Sequence, residues 1–296
     1  MRILISGGRG MLARTLAARL GTHADHVLAA PGREELDITD PLSVGRVFAD
    51  FQPDVVLHCA AYTKVDQCES EPELASQVNV AGSAHVAAAC QQAGARLIAF
   101  STDYVFDGHS GPYSEFSRPT GGLNVYGQTK WAGECAIRLN CPNHLIARVS
   151  WLYGPGGPSF VHTMMRLNRE GRPLVRVVND QKGNPTSTLA VACAIEELLD
   201  HPEITGTIHL TCEGEATWYD LAKAVFALTG REQKVEPCTS AEYPLPAARP
   251  ANSCLLKERL KLCHLRPMPH WQTALKDFLA SEFPDCFRET SQGAAS

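Results

Sequence analysis

The chain begins with an apolar run, Arg2–Ser6, that meets Gly7-Gly8-Arg9-Gly10 and passes at once into helix-forming sequence through Leu20. A strand, a glycine turn and a helix in that order restrict the fold more than any other feature. Gly7 and Gly10 permit the tight turn and let the backbone approach a pyrophosphate. That group then sits on the amides of the helix N-terminus. Ala13 lets helix and strand pack closely. A glycine-rich segment alone can be a mere turn. Its place after a strand, before a helix and within a series of such units marks a dinucleotide site.

Short apolar runs alternate with helical stretches over the first two-thirds of the sequence. Candidate strands are Arg2–Ser6, His26–Ala30, Val55–Cys59, Arg96–Ser101, Leu145–Val149 and Thr207–Thr211. Near-continuous apolar runs suit a parallel sheet buried on both faces. Asp40 before Pro41 reads as an N-cap and a first helical residue. Ser70 with Glu73 reads as a capping box opening a long helix toward Cys90. In the helix carrying Tyr126, Ala132, Cys135, Ala136 and Leu139 form one apolar stripe. The alternation implies an α/β chain: a doubly wound parallel sheet of the Rossmann type, with right-handed crossovers. After about Val149 the pattern loosens, and Pro237–Pro250 holds four prolines. Residues 1–150 with about 186–214 are expected to form the dinucleotide-binding domain. Residues 151–185 with 215–288 are expected to form a smaller C-terminal substrate-binding lobe, and 289–296 a frayed tail.

At 296 residues the chain is long enough for one domain or two. It carries 27 basic and 32 acidic residues, a net charge of -5, and no basic stripe that would suit nucleic acid. The opening apolar run is too short for a signal peptide or a membrane span, and no other stretch approaches the roughly 18 unbroken apolar residues a span needs. The eleven cysteines are odd in number and form no Cys-x-x-Cys, which points to reduced thiols in a cytoplasmic protein. Cys59, Cys90 and Cys193 fall in apolar runs, where cysteine acts as a small hydrophobe. The histidines show no metal-ligand spacing. His58 and His209, in strand-like runs, read as structural, and no metal is expected.

Tyr126 and Lys130 stand four apart, one turn on a shared helix face. A phenol is a weak acid, with an ordinary pKa of about 10. A neighbouring ammonium favours the phenolate and draws that value down, so the pair can pass a proton to or from a carbonyl or alcohol oxygen. The same spacing also occurs on ordinary surface helices. For the cofactor, NAD binders usually place an acidic residue at the end of the second strand. Here that strand ends in Ala30-Pro31-Gly32-Arg33, without a carboxylate. Arg9 and Arg33 can both reach a 2′-phosphate, or stand as solvated surface arginines. The balance favours NADPH, with NADH as the alternative.

Further segments carry a resemblance. They are Cys59-Ala60-Ala61-Tyr62-Thr63-Lys64-Val65-Asp66 with Glu69-Ser70-Glu71-Pro72, Ser101-Thr102-Asp103-Tyr104-Val105-Phe106-Asp107-Gly108, Asn124–Lys130, Arg148-Val149-Ser150-Trp151-Leu152-Tyr153-Gly154, Asp180-Gln181-Lys182-Gly183-Asn184-Pro185-Thr186 and Arg249-Pro250. With the glycine turn, they resemble the extended short-chain dehydrogenase/reductases, and most closely the dTDP-4-dehydrorhamnose reductase family, nearly end to end. The resemblance implies NAD(P)H-dependent reduction of the C4 ketone of dTDP-4-dehydro-β-L-rhamnose to dTDP-L-rhamnose, a step toward cell-surface polysaccharide. It assigns Thr102, Tyr126 and Lys130 to catalysis. It assigns Gly10, Met11, Leu12, Asp37, Ile38, Ala60, Ala61, Tyr62 and Ser101, again with Tyr126 and Lys130, to the cofactor, which Gly7 joins through the turn and Arg9 and Arg33 through the 2′-phosphate. Thr102, Asp103 and Trp151 match positions that contact the sugar nucleotide. Trp151 can instead be a packed aromatic, Asp103 a turn cap, and the run from Asp180 a structured loop. The diphosphate needs a cation, for which Arg166, Arg169, Lys182 and Arg249 are candidates. A dTDP-sugar is the implied partner, and a homodimer is compatible with the resemblance. Thr15 supplies no carboxylate for the metal-bridged dimers of some relatives. Two rivals remain: a sibling nucleotide-sugar reductase or epimerase, and a non-catalytic NADP-binding subunit resembling the methionine adenosyltransferase β subunit.

Overall fold

In the computed structural model, which describes residues 1–230 and 234–287, six parallel strands form the central sheet. They are β1 (Arg2–Ser6), β2 (Val27–Ala29), β3 (Val55–His58), β4 (Arg96–Thr102), β5 (His144–Val149) and β6 (Gly206–His209), ordered β6-β5-β4-β3-β1-β2. Every expected strand is present, with small shifts at the ends. The expected tail, 289–296, lies outside the described residues.

The apolar runs are continuous because both faces of the sheet are covered. Ile3 and Ile5 enter one core cluster with Leu12 and Leu16 of helix α1 (Met11–Leu20). Leu4, between them, enters another with Val44 and Phe48 of α2 (Pro41–Phe51). Asp40 caps α2 as expected, accepting from Leu42 N at 2.9 Å with Pro41 at the first position. The first cluster runs on past the sheet into the later part of the chain, including Leu221, Phe226, Trp271 and Leu275.

Three helical expectations are corrected. Ser70 opens no helix. It ends Val65–Ser70, and its hydroxyl donates to the Gln67 carbonyl at 3.1 Å. The next helix starts at Pro72, whose ring suits a first turn, and continues through a π-helical segment, Gln77–Gly82, into Ser83–Ala93. The second correction concerns α3 (Val125–Asn140), which does not bury the stripe of Ala132, Cys135, Ala136 and Leu139. Leu139 is 84% exposed, and the inner face is Gly127, Lys130, Gly133, Glu134 and Ile137. That face carries small residues and charges because it abuts the site and a buried ion pair. Cys193 is likewise exposed on α4 (Thr188–Leu199), whose inner face is Val191, Ala192, Ile195 and Leu198. All eleven cysteines are free. His58 and His209 are buried, and burial pushes both down to about 3, so they stay neutral.

Beyond β5, short two-stranded ribbons shape the surroundings of the site. Leu152–Tyr153 pairs with Thr186–Ser187, and Lys182–Gly183 pairs with Ala216–Thr217. Among the described residues, no helix is long and apolar enough to cross a membrane.

Candidate active site

Parallel strands end on the same edge, so Ser6, His58, Thr102 and Val149 come together at the carboxyl ends of β1, β3, β4 and β5. Ligands of open α/β sheets bind at that edge. A cavity of about 650 Å³ opens there. Every residue expected to serve catalysis, the cofactor or the sugar lines it: Gly7, Arg9, Gly10, Met11, Leu12, Arg33, Asp37, Ile38, Ala60, Ala61, Tyr62, Ser101, Thr102, Asp103, Tyr126, Lys130 and Trp151. A second cavity of about 820 Å³, between α1, α4 and the Trp271–Glu282 helix, holds none of them.

The glycine turn is built as expected. Gly7 has φ +70°, and a Cβ there would lie 2.8 Å from Ala60 Cα. Gly10 N donates to Gly7 O at 2.8 Å, Gly10 caps α1 without a side chain, and Gly10, Met11 and Leu12 of that helix start line the cavity. Beyond β2, Arg9 pairs with Glu34 at 2.9 Å, with both side chains more than 60% exposed. Glu34 lines the cavity. This carboxylate follows directly on Arg33, one residue beyond the strand end that carries none. Exposed pairs of this kind are worth about 0–1 kcal/mol, so Arg9 is free to exchange its partner. Asp37 is fixed by the Thr39 hydroxyl at 2.7 Å and amide at 2.9 Å, which hold its carboxyl below the usual range.

Lys130 is buried, and its Nζ donates to Phe100 O at 2.8 Å. Burial pulls its pKa down to about 8. The Tyr126 phenol does not move as the spacing predicts. Burial pushes its pKa up, opposed by the Thr102 hydroxyl. The phenol therefore keeps its proton throughout the neutral range. Thr102 Oγ1 donates to Asp103 Oδ1 at 3.0 Å and accepts from Tyr104 N at 3.2 Å. Burial pushes Asp103 up to about 7, opposed by hydrogen bonds from Ser253 and Thr102.

Several residues that build the site escaped the sequence reading. Glu134, on the inner face of α3, accepts from Ser101 Oγ at 2.6 Å and from Arg148 Nε at 2.9 Å and Nη2 at 2.8 Å. This buried network ties α3 to the ends of β4 and β5. Asn79 clamps the Tyr62 loop through Oδ1 to Tyr62 N at 2.8 Å and Nδ2 to Tyr62 O at 3.1 Å. Its Nδ2 also donates to Thr129 Oγ1 at 3.1 Å. The four candidate cations for a diphosphate are not at this cavity. Arg249 is held by Asp66 at 2.8 Å, Arg166 by Glu170 at 2.8 Å, and Arg169 stacks over Phe283. Among the described residues, no group of three or more His, Cys, Asp or Glu is placed to hold a metal ion.

The family model described as the RmlD substrate binding domain matches residues 1–283. The chain belongs to this family. Within the RmlD family it is similar to a dTDP-4-dehydrorhamnose reductase of Streptomyces griseus, 44% identical over 93% of this chain and 92% of the relative. It is also similar to a probable dTDP-4,6-dihydroxy-2-methyloxan-3-one 4-ketoreductase of Streptomyces antibioticus, 40% identical over the full length of both. Among solved structures, the dTDP-4-dehydrorhamnose reductase of Bacillus anthracis in complex with NADP superposes with a TM-score of 0.90 at 37% identity. That match covers 95% of this chain and 99% of the other. The RmlD family and the Rossmann-type parallel sheet are thus those the glycine turn and the Ser101–Gly108 run implied.

Proposed function

We propose that this chain reduces the C4 ketone of dTDP-4-dehydro-β-L-rhamnose with NADPH, giving dTDP-L-rhamnose. The observation that carries the reading is that the cavity lined by the glycine turn is also lined by Thr102, Tyr126 and Lys130. Relatives named for this reaction, and one bound to NADP, support it.

NADPH, held by the glycine turn, Asp37, Ile38 and the Ala60–Tyr62 loop, would supply the hydride that the ketone carbon accepts. The carbonyl oxygen then gains charge and takes a proton from Tyr126 Oη. A phenol held neutral by burial is loaded for that donation, and the nascent alkoxide is basic enough to remove its proton. The Lys130 ammonium, one turn away, stabilises the phenolate left behind. Rotation of the Thr102 O–H away from Asp103 lets it donate to the same oxygen, where charge appears only in the transition state. Asp103 and Trp151, which line the cavity, border the sugar.

NADPH oxidation should depend on added dTDP-4-dehydrorhamnose. Tight cofactor binding with no turnover would point to a regulatory subunit. Turnover only with a different dTDP-keto sugar would favour the sibling activity, to which the Streptomyces antibioticus relative lends weight.

Arg9 and Arg33 line the cavity, and Arg9, once it leaves Glu34, pairs with the 2′-phosphate of NADPH, which the bare ribose of NADH lacks. NADPH should bind at least as tightly as NADH, and Arg9→Ala should weaken NADPH selectively by about tenfold, the scale of one charge-assisted hydrogen bond. Calorimetric titration of both cofactors checks this. A tenfold preference for NADH, or roughly 1.4 kcal/mol, would overturn it.

A further inference from the structure

We propose that Trp218 is a positioning residue that sets the angle of the Trp151 indole against the sugar nucleotide; this rests on the reading that Trp151 borders the substrate. Trp151 has φ +47°, left-handed backbone that a residue with a side chain adopts only when its surroundings impose it. Two neighbours hold its indole. The Trp218 ring lies flat on the Trp151 ring, with centroids 3.5 Å apart and planes 6° from parallel. On the ring edge sits Gly183, where a Cβ would come within 2.4 Å of Trp151 Cε2.

Both neighbours arrive by one ribbon. Gly183 pairs with Ala216 and Lys182 with Thr217, the residue just before Trp218. Trp218 is held in turn. Its indole N–H donates to Gln181 Oε1 at 3.1 Å, Gln181 Nε2 donates to Ser240 Oγ at 2.8 Å, and Phe160 packs on its ring at 4.8 Å. Trp151 lines the cavity, whereas Trp218 is not among the lining residues. Trp218 therefore acts through Trp151. A rigid aromatic wall costs the ligand less ordering than a mobile one. This gives the Asp180–Thr186 run a task beyond loop structure: Gln181 holds Trp218, and Gly183 leaves room for Trp151.

The test compares wild type, Trp218→Ala, Trp218→Phe and Gly183→Ala. It reads KM for dTDP-4-dehydrorhamnose, KM for NADPH, and the calorimetric Kd of dTDP-L-rhamnose. Trp218→Ala and Gly183→Ala should weaken the sugar nucleotide, with kcat/KM for the ketone falling by up to about 100-fold, the cost of an ångström of misplacement. KM for NADPH should stay near wild type, and Trp218→Phe should recover most of the loss by restoring a stacked ring. Equal losses toward both ligands, or sugar-nucleotide constants unchanged in Trp218→Ala and Gly183→Ala alike, would overturn the proposal. Wild type that neither binds nor reduces the dTDP-sugar would instead sink the proposed activity.

Discussion

Tyr126→Phe should lower kcat by at least about 100-fold, the usual size of a general-acid contribution, while NADPH binds with nearly unchanged affinity. The variant removes one oxygen and leaves the ring against Tyr104, whose centroid lies 5.8 Å away. Loss of rate without loss of binding is the mark of an interaction made only in the transition state. The raised pKa of this phenol sharpens the expectation. Its proton is present across the neutral range, so the reaction as reduction should show no loss of rate from ionisation of Tyr126 between about pH 6 and 8. Steady-state kinetics and cofactor titration on the same preparation check both points. Turnover near the wild-type rate would remove Tyr126 from the chemistry.

Glu134→Ala should destabilise the fold by about 3–5 kcal/mol, the cost of leaving a buried partner charge uncompensated. Arg148 is that partner, with 2% of its side chain exposed, against 1% for Glu134. Thermal or denaturant unfolding checks the prediction, and a loss below about 1 kcal/mol would place the pair among weak surface bridges. Activity should fall as well, because Ser101 and α3 lose their shared anchor. The pH dependence follows from the direction of the Glu134 shift. Burial works to raise its carboxyl pKa, but the Arg148 hydrogen bonds and charge, with Ser101 and Arg138, outweigh it and hold the pKa below the ordinary value. The folded state thus prefers the ionised form. Its contribution is fully present above the unfolded pKa of about 4.3 and is lost as pH falls through the lower folded value.

Tyr126 and Glu134 differ in how visible they are in the sequence. Tyr126 and Lys130 advertise themselves by spacing, and the glycine turn by its place after β1. The strands are legible because burial on both faces leaves no polar gap in runs such as Leu97–Phe100. Asp40 before Pro41 was legible because a cap acts over two residues. The errors have the opposite character. The apolar stripe on α3 fails because tertiary demand assigns the inner face to Lys130 and Glu134, two charged residues no hydrophobic pattern would bury. Ser70 fails because Pro72 starts the following helix more strongly than a distant glutamate can. Asn79, Arg148 and Trp218 act on partners 14 to 67 positions away, through Thr129, Glu134 and Trp151. No local pattern encodes such pairings. The direction of the Tyr126 shift was also beyond the spacing, since it depends on how deeply the phenol sits.

The most direct test follows the hydride. NADPH deuterated at the transferring position of nicotinamide C4 is mixed with dTDP-4-dehydrorhamnose and the protein, and the sugar is read by NMR. The expected product is dTDP-L-rhamnose with deuterium on C4 of the sugar and a hydroxyl where the ketone was. Absence of label from the sugar, label on any other carbon, or no oxidation of the cofactor would contradict it.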